Sequence, residues 1–564
     1  MKNILTHIFI TTVAAGIISS CRKADAVPRQ SSKALSDVYA TIEGYGGNRL
    51  FEPRYSNDTI YIDVPYFYQP DSDNPTDLSK IIIRTTISTD AKITPQLGSP
   101  MDVREPLHLT VTSGTGEVSN YVLVVRNVAD LALRTAAITY TENGVAQTID
   151  GVIDNTTNEV KFYILPGTDV SAAKLATTVS PHAVQGIANG SVIDLSQSKT
   201  VPFTVTGNDK TKRTYTLKAV IPVKLNYGVG ISRLLWKKDA VNITGFTTND
   251  NNRSMAVSGN YLVLALSTTP STYKIYDRNT GAYVQDMAVP PGSLRSFAIA
   301  NDSAGHILVS SWAPKNSAFY VYKYNDPFDV NPVKLIQWTN NNPAAITGDG
   351  GVGRRINVYG DVNKNAILDA TAGVSNITYS WQVTNGALVN NTPATLAYQS
   401  VTGGTTWSFY AEAQPVSTTA NGDYFVNYAG EIALVNGASN GRAVAFTSET
   451  AVIGLNHMAM DYFQFNNANF LAVQRFTNGT NSKAGLSLFD VTKSSNIGLT
   501  STAAGFKDFR VFASPDANDL TASANGNGAG DVCAVLNDDR ERVCVYMLLT
   551  NGGIIAYEFT KYAP

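Results

Sequence analysis

Met255-Ala256-Val257-Ser258-Gly259-Asn260-Tyr261-Leu262-Val263-Leu264-Ala265-Leu266 is the stretch that decides the fold. Two apolar runs flank Gly259-Asn260, a pair suited to a tight turn, so the stretch reads as strand, turn, strand. A third strand is expected at Tyr273–Asp277. The same unit recurs. Phe297–Ala300 leads through Asn301-Asp302 to His306–Ser310 and Phe319–Tyr324, and Ile356–Tyr359 leads through Gly360-Asp361 to Ala366–Ala370 and Ile377–Val383. Later copies centre on Gly422-Asp423, Asn466-Asn467 and Asp538-Asp539. Recurrence of one short supersecondary unit marks a repeat architecture. Six copies across residues 226–564 predict a β-propeller of four-stranded blades, and the irregular stretch 495–530 leaves seven open. The last copy stops at Tyr557-Glu558-Phe559 without a fourth strand. Upstream, Ser232-Arg233-Leu234-Leu235-Trp236 is similar to Val333-Lys334-Leu335-Ile336-Gln337-Trp338, the expected fourth strand of the second blade. The 230s are therefore expected to complete the last blade, which removes open strand edges.

Outward toward the N-terminus lies a second repeat. Asp77-Leu78-Ser79 returns as Asp169-Val170-Ser171, and Thr85-Thr86-Ile87-Ser88 as Thr177-Thr178-Val179-Ser180 at the same offset. Leu109-Thr110-Val111-Thr112 matches Phe203-Thr204-Val205-Thr206, and Tyr121-Val122-Leu123 matches Tyr215-Thr216-Leu217. Each copy has the length and short alternating strands of an immunoglobulin-like sandwich, placed at 36–128 and 131–224. The first copy carries an insertion containing Tyr66-Phe67-Tyr68, read either as a contact surface for sugar rings or a partner, or as aromatics folded over their own sheet.

Composition agrees with an all-β chain. Of 564 residues, 43% are hydrophobic, enough for proper cores, and only 16% are charged, against about 25% in ordinary globular domains. Tyr, Thr, Asn, Gly and Ser are plentiful. A net charge of −2 gives no electrostatic case for nucleic acid. At the N-terminus, Lys2 precedes an apolar run from Ile8-Phe9-Ile10 to Ile17-Ile18, then Ser19-Ser20-Cys21. The run is shorter than the roughly 20 apolar residues of a membrane span and reads as an export signal over 1–20, followed by a tether over 21–35. The cysteine after small residues resembles the bacterial lipobox, which implies acylation of the Cys21 thiol. An ordinary secretory signal with an incidental cysteine is the alternative.

Enzyme signatures are sparse. The chain has five histidines; beyond His7 of the signal, His108, His182, His306 and His457 show no metal-ligand spacing. No nucleophile elbow, His-Glu-x-x-His or P-loop occurs. A glycosidase needs only two carboxylates, and Asp349, Asp461 and Asp508 are available without being singled out. Asp361, Asn363, Asn365 and Asp369 place oxygens at positions 1, 3, 5 and 9 of a loop that looks like the calcium loops of integrin-type propellers. Ala366 stands where those loops carry glycine, and an ordinary interstrand turn is the competing reading for this Ca2+ candidate. Arg253, Arg295 and Arg354-Arg355 precede successive inner strands, whose starts converge on one mouth of a propeller. Guanidiniums there suit a carboxylate or sulfate, with Trp312 on a neighbouring loop to stack on a sugar face. The alternative is that each arginine pairs with an acid of the adjacent blade. Trp236, Trp338, Trp381 and Trp407 fall on predicted strands, as core. Cys533 and Cys544 flank a polar turn. A hairpin symmetric about Asp538-Asp539 sets them opposite each other as a disulfide candidate, with two buried thiols as the alternative.

The mature chain as a whole resembles Bacteroidota lipoproteins in which tandem immunoglobulin-like domains carry a propeller-like domain. Ser20-Cys21-Arg22-Lys23 looks like the start of many of them, and Asp25 as the single nearby acid leaves the side of the membrane open. The resemblance implies a lipid-anchored outer-membrane protein that captures glycan without catalysis, with the sandwiches as spacers, and the recurring arginines make an acidic glycan the expected ligand. The membrane is met through the anchor only, and an outer-membrane protein is a second expected partner. A protein-binding adhesin or scaffold, and a propeller lyase or hydrolase, are the rival classes.

Overall fold

A computed structural model of the chain describes residues 28–45, 49–142, 144–196, 198–246, 252–292, 294–341, 351–399, 411–428, 431–446, 456–476, 484–515 and 530–563, excepting the side chains of 145, 252, 253, 456–458 and 476. Cys21 and Trp407 lie outside the described residues. The chain is nearly all β and forms two compact units. One runs to Tyr140 and takes in Thr148–Phe162 and Asp169–Val220; the other holds Thr141–Gln147, Tyr163–Thr168 and everything from Ile221 onward.

In the first unit the sequence repeat appears as repeated topology. Ser36–Ile42, Ile81–Thr86 and Pro100–Met101 form one sheet, and Leu133–Glu142, Ala173–Val179 and Val192–Ile193 stand in the same order in a later one, with Val145–Asp150 added at its edge. Both copies also hold a five-stranded sheet. In the first copy Thr59–Pro65 sits second and pairs in parallel with Val118–Val128. Alternation does what a half-buried strand requires: Ile60, Ile62 and Val64 are wholly buried while Thr59, Tyr61 and Asp63 turn outward. The Asp-x-Ser signature has a local cause. Asp77 Oδ1 accepts from Ser79 N at 2.9 Å and Asp169 Oδ1 accepts from Ser171 N at 2.9 Å, so each aspartate closes a turn on its own backbone. The aromatic insertion turns inward within its unit. Tyr68 sets its edge on Tyr45 and Phe51, and Phe67 stacks on His182 with 4.0 Å between ring centres.

Besides the short antiparallel pairing of Val223–Lys224 with Tyr562–Ala563, the second unit contains six antiparallel sheets among the described residues, each built outward from a first strand. These first strands are Asn252–Ser258, Ile299–Asn301, Val352–Gly360, Glu412–Pro415, Asn456–Phe465 and Gly530–Leu536. Each touches the next in order, and Gly530–Leu536 returns to touch Asn252–Ser258. The sixth sheet takes its outer strand from far upstream: Ser232–Asp239 pairs antiparallel with Gly553–Thr560, from Ser232 against Phe559 to Asp239 against Gly553. The expected pairing of the 230s with the last unit is therefore present.

First strands of neighbouring sheets do not share a ladder, so their facing N–H groups need other acceptors. Side chains supply them. Asn301 Oδ1 accepts from Val257 N at 2.9 Å, Glu412 Oε1 from Met460 N at 3.0 Å, Asp461 Oδ2 from Ala534 N at 2.7 Å, and Asp531 Oδ2 from Met255 N at 2.7 Å. The last of these joins the sixth sheet to the first.

The hairpin between Gly530–Leu536 and Arg542–Leu549 corrects the disulfide expectation. Its last ladder pair is Leu536 with Val543, so it turns about Asp539-Arg540, one residue later than expected. That shift sets Cys533 against Tyr546 and Cys544 against Val535, and both cysteines are buried free thiols.

Candidate functional site

The four expected arginines do not act together. Arg354 and Arg355 are adjacent on one strand, within its register shift between Val352 and Ile356, and their side chains go to different places. Arg354 goes to the strand-start side with Arg295. Arg355 turns into the unit and is 6% exposed. There its Nη1 donates to Asp531 Oδ1 at 3.0 Å, its Nη2 to the Gly530 carbonyl at 2.5 Å, and its Nε lies 3.7 Å from Glu412. It is the anchor of a buried ion-pair network and not a residue of an open mouth. Arg253 lies on a first strand, with its side chain outside the described residues.

Arg295, Arg354, Phe297 and Trp312 form one cluster, and the backbone explains why. Trp312 N donates to the Arg295 carbonyl at 2.7 Å, while Ala313 and Val352 exchange both backbone bonds at 2.9 Å. Gly353, at φ +95°, brings the third sheet's first strand so close that a Cβ there would stand 2.3 Å from the Ser311 carbonyl oxygen. Arg354 thus arrives beside Trp312. The Arg295 guanidinium lies 4.7 Å from the Phe297 ring centre and 5.6 Å from that of Trp312; Arg354 lies 4.8 Å and 5.9 Å from the same two rings. Two cations share two aromatic faces, an arrangement that positions guanidiniums through the ring quadrupoles. Arg295 is exposed, and its side chain has no hydrogen bond or ion pair among the described residues. Trp312 is half-buried, and its Nε1 is buried without an acceptor among the described residues.

The loop expected to hold calcium is an interstrand turn. Asp361 Oδ1 accepts from Asn363 N at 2.8 Å, and Asn365 Oδ1 accepts from Asn385 N at 3.1 Å. Asp369 is not in the turn at all. It lies within the strand Ala366–Ala372 opposite Asn357, 2% exposed, and burial pushes its carboxyl up to about 7. A different group assembles nearby, in which Asp302, His306 and Asp361 place ligand-type atoms within 4.8 Å of one another. Its donors are already used. Asp302 accepts from the backbone of Ala304, His306 and Val362, and the His306 ring bridges Asp302 and Asn363 at 2.8 Å each. The group laces the turn of the second sheet to that of the third.

A cavity of about 680 Å³ opens along the first strands of the second unit. Arg355, Asp461 and Asp531 line it, and Glu412 stands behind Arg355. Burial pushes Glu412 up to about 8, with Arg355 opposing, and Asp461 up to about 7, with its hydrogen bond from Ala534 N opposing. Burial also raises Asp531, against the pull of Arg355 and of hydrogen bonds from Ser254 and Met255. Of the other candidate carboxylates, Asp508 is exposed on the short helix Phe506–Phe509, and Asp349 lies outside the described residues. Sequence reasoning missed Glu412 and Asp531. The signal for them was a lone acid inside a run of small and apolar residues: Ala411-Glu412-Ala413, Met460-Asp461-Tyr462 and Gly530-Asp531-Val532.

The fold therefore defines an all-β chain whose second unit is a cyclic succession of sheets, with an arginine–aromatic cluster at the strand starts and a polar cavity along the first strands. Residues 234–557, more than half of the chain, match the family described as Domain of unknown function (DUF8500), and the chain belongs to that family. Residues 16–125 match a Domain of unknown function (DUF5018), and residues 138–219 match "SGBP, N-terminal". No curated protein matches. Among solved structures the chain is similar to a DUF4623 family protein from Bacteroides eggerthii, at 18% identity and a TM-score of 0.46, over 76% of this chain and 98% of that one. A chain of the mitotic checkpoint complex matches at 11% identity and a TM-score of 0.32, over 60% of this chain and 95% of that one. Among the described residues no helix is long and apolar enough to cross a membrane.

Proposed function

We propose that the protein is a non-catalytic glycan-binding protein of the Bacteroidota cell envelope, anchored in the outer membrane through lipid on Cys21. In this reading the segments 36–128 and 131–224 are immunoglobulin-like spacers, and residues 226–564 are a six-bladed β-propeller that carries the binding surface. The match of residues 138–219 to the N-terminal part of surface glycan-binding proteins supports the class. The cyclic contacts of the first strands, with Ser232–Asp239 completing the sixth sheet, support the propeller. Replacing Cys21 with serine is expected to move the protein from the detergent phase to the aqueous phase; unchanged partitioning would count against the anchor.

The observation that carries the binding site is the pair of guanidiniums, Arg295 and Arg354, held over Phe297 and Trp312. With the ring faces covered by cations, a ligand meets the exposed Arg295 guanidinium first, which selects a carboxylate or sulfate on an acidic saccharide. A charge-assisted hydrogen bond contributes about 1.5–3 kcal/mol. Arg295→Ala is therefore expected to weaken binding roughly ten- to a hundredfold at about 1.4 kcal/mol per decade, read by calorimetry with acidic glycans. A glycan that binds wild type and Arg295→Ala equally places the site elsewhere. The catalytic alternative loses support from the cavity carboxylates, because Glu412, Asp461 and Asp531 are each spent on a backbone N–H of the next first strand.

A further inference from the structure

The cavity wall holds a buried arginine that forms no direct ion pair among the described residues, although Glu142, Asp538, Asp539 and Glu558 line a neighbouring cavity with it. Arg278 follows the strand Thr272–Asp277 and is 6% exposed. Its Nη2 donates to Asn537 Oδ1 at 3.0 Å, and its Nε is buried without an acceptor among the described residues. No carboxylate among the described residues forms an ion pair with it. The groups that feel its charge are the Cys533 and Cys544 thiols and the Tyr546 phenol, all of which burial holds in their neutral forms. A guanidinium stays charged at any working pH, and an uncompensated buried charge is among the most destabilising features a fold can carry. A ligand anion would remove that penalty.

A second guanidinium lines the same cavity. Arg540 sits in the turn that Asn537 opens, donating its backbone N to the Asn537 carbonyl at 2.8 Å, with φ +53°. Its side chain is exposed and has no acid partner among the described residues. Tyr359, Tyr462, Phe463 and Asn357 line the cavity too, offering ring faces and an amide to a hydroxylated molecule. At about 680 Å³ the space falls within the usual range for small-ligand sites, roughly 300–1,000 Å³.

We propose that this cavity is a second binding site, taking a hydroxylated carboxylate of sugar-acid size whose carboxylate is held by Arg278 and Arg540. Four acids line the cavity: Asp302 pairs with His306 at 2.8 Å and Asp531 with Arg355 at 3.0 Å, burial holds Asp461 well above the usual carboxylate range, and Asp538 is exposed on the turn that carries Arg540. The proposal shares no residue with the outer pair Arg295 and Arg354, so either can fail alone.

D-glucuronate titrated calorimetrically into the full chain is the test, carried out in the Arg295→Ala background so that the outer pair is silent. Saturable binding is expected, with D-glucose at least tenfold weaker. Arg540→Asn is expected to lower glucuronate affinity about tenfold, as loss of one charge-assisted bond would. Asparagine tolerates the left-handed backbone at this exposed position, so the variant tests the charge and not the fold. Arg278→Met is expected to abolish binding; if it does not fold, Arg540→Asn decides. A disaccharide ending in glucuronate separates the two sources: binding of both assigns the end of a glycan, and binding of the monosaccharide alone assigns a free sugar acid. Absence of saturable heat, equal binding of glucose, or wild-type affinity in Arg540→Asn overturns the proposal.

Discussion

Replacing Arg355 with methionine is expected to destabilise the protein by about 3–5 kcal/mol, the range for removing one partner of a buried ion pair. Methionine fills much of the same volume, so the loss is electrostatic. Asp531 keeps its hydrogen bonds from Ser254, Met255 and Val532 but loses the guanidinium 3.0 Å away, and Glu412 loses its one cationic neighbour among the described residues. The effect has a pH sign. Burial already holds Glu412 near 8, Asp461 near 7 and Asp369 near 7, against ordinary values of 4.5, 3.8 and 3.8. Between those limits these three groups hold protons in the folded chain that the unfolded chain has released, so the stability they contribute is full near pH 4 and falls as pH rises toward 8. Without Arg355, Glu412 and Asp531 rise further and the decline steepens. Urea unfolding should therefore show a larger deficit for the variant at pH 8 than at pH 5. Adding Glu412→Gln should recover part of it at pH 8. A deficit below about 1 kcal/mol, or one equal at both pH values, would show that the network is not the anchor described.

How much of this was legible in the sequence depended on the range of the interaction. Local turn chemistry was: Gly259-Asn260, Gly422-Asp423 and Asn466-Asn467 each mark the turn between the first and second strands of a sheet. The tandem repeat was legible too, because its Asp-x-Ser turns are closed by the aspartate's own side chain. Register within one hairpin was less so. Arg540, with φ +53°, takes a backbone conformation that its side chain does not advertise, and the two-cysteine pairing failed by that one-residue shift of the turn.

Charge placement was legible only in part. Arginines before first strands could be counted, but which side of the strand each occupies follows from register. Arg354 and Arg355 lie within the register shift between Val352 and Ile356, and one goes to the aromatic cluster while the other goes to the carboxylates. The calcium reading failed in a similar way. Spacing placed Asp369 at the ninth position of a loop, whereas the strand begins at Ala366 and carries Asp369 inward. Acids that cap the neighbouring strand, such as Glu412, leave no local pattern beyond a lone charge in an apolar run, since their partners lie tens of residues away.

The other large effect is expected at the closure of the second unit. Trp236 belongs to Ser232–Asp239, the upstream strand that completes the sixth sheet, and is 8% exposed. Its ring packs in one core with Ile243, Met255, Leu262 and Tyr546, joining the sixth sheet to the first, and its Nε1 donates to the Arg278 carbonyl at 2.8 Å. Trp236→Ala should cost about 3–5 kcal/mol, as a buried tryptophan truncated to alanine does. Trp338 supplies the control. It is likewise 8% exposed, on the outer strand Val333–Thr339 of the second sheet, and packs on Tyr379 and Trp381 of the third. Both variants should lose comparable stability in denaturant. Only Trp236→Ala should raise hydrogen exchange in Gly553–Thr560, whose outer edge is paired by the 230s. A chain of sheets closed by a strand from its own beginning opens first at that seam, because the seam is where the two most distant segments of the unit meet and loop closure contributes most to the cost of pairing. Faster exchange in Gly553–Thr560 for Trp338→Ala as well, or for neither variant, would mean that Ser232–Asp239 decorates the sixth sheet without holding the ring shut.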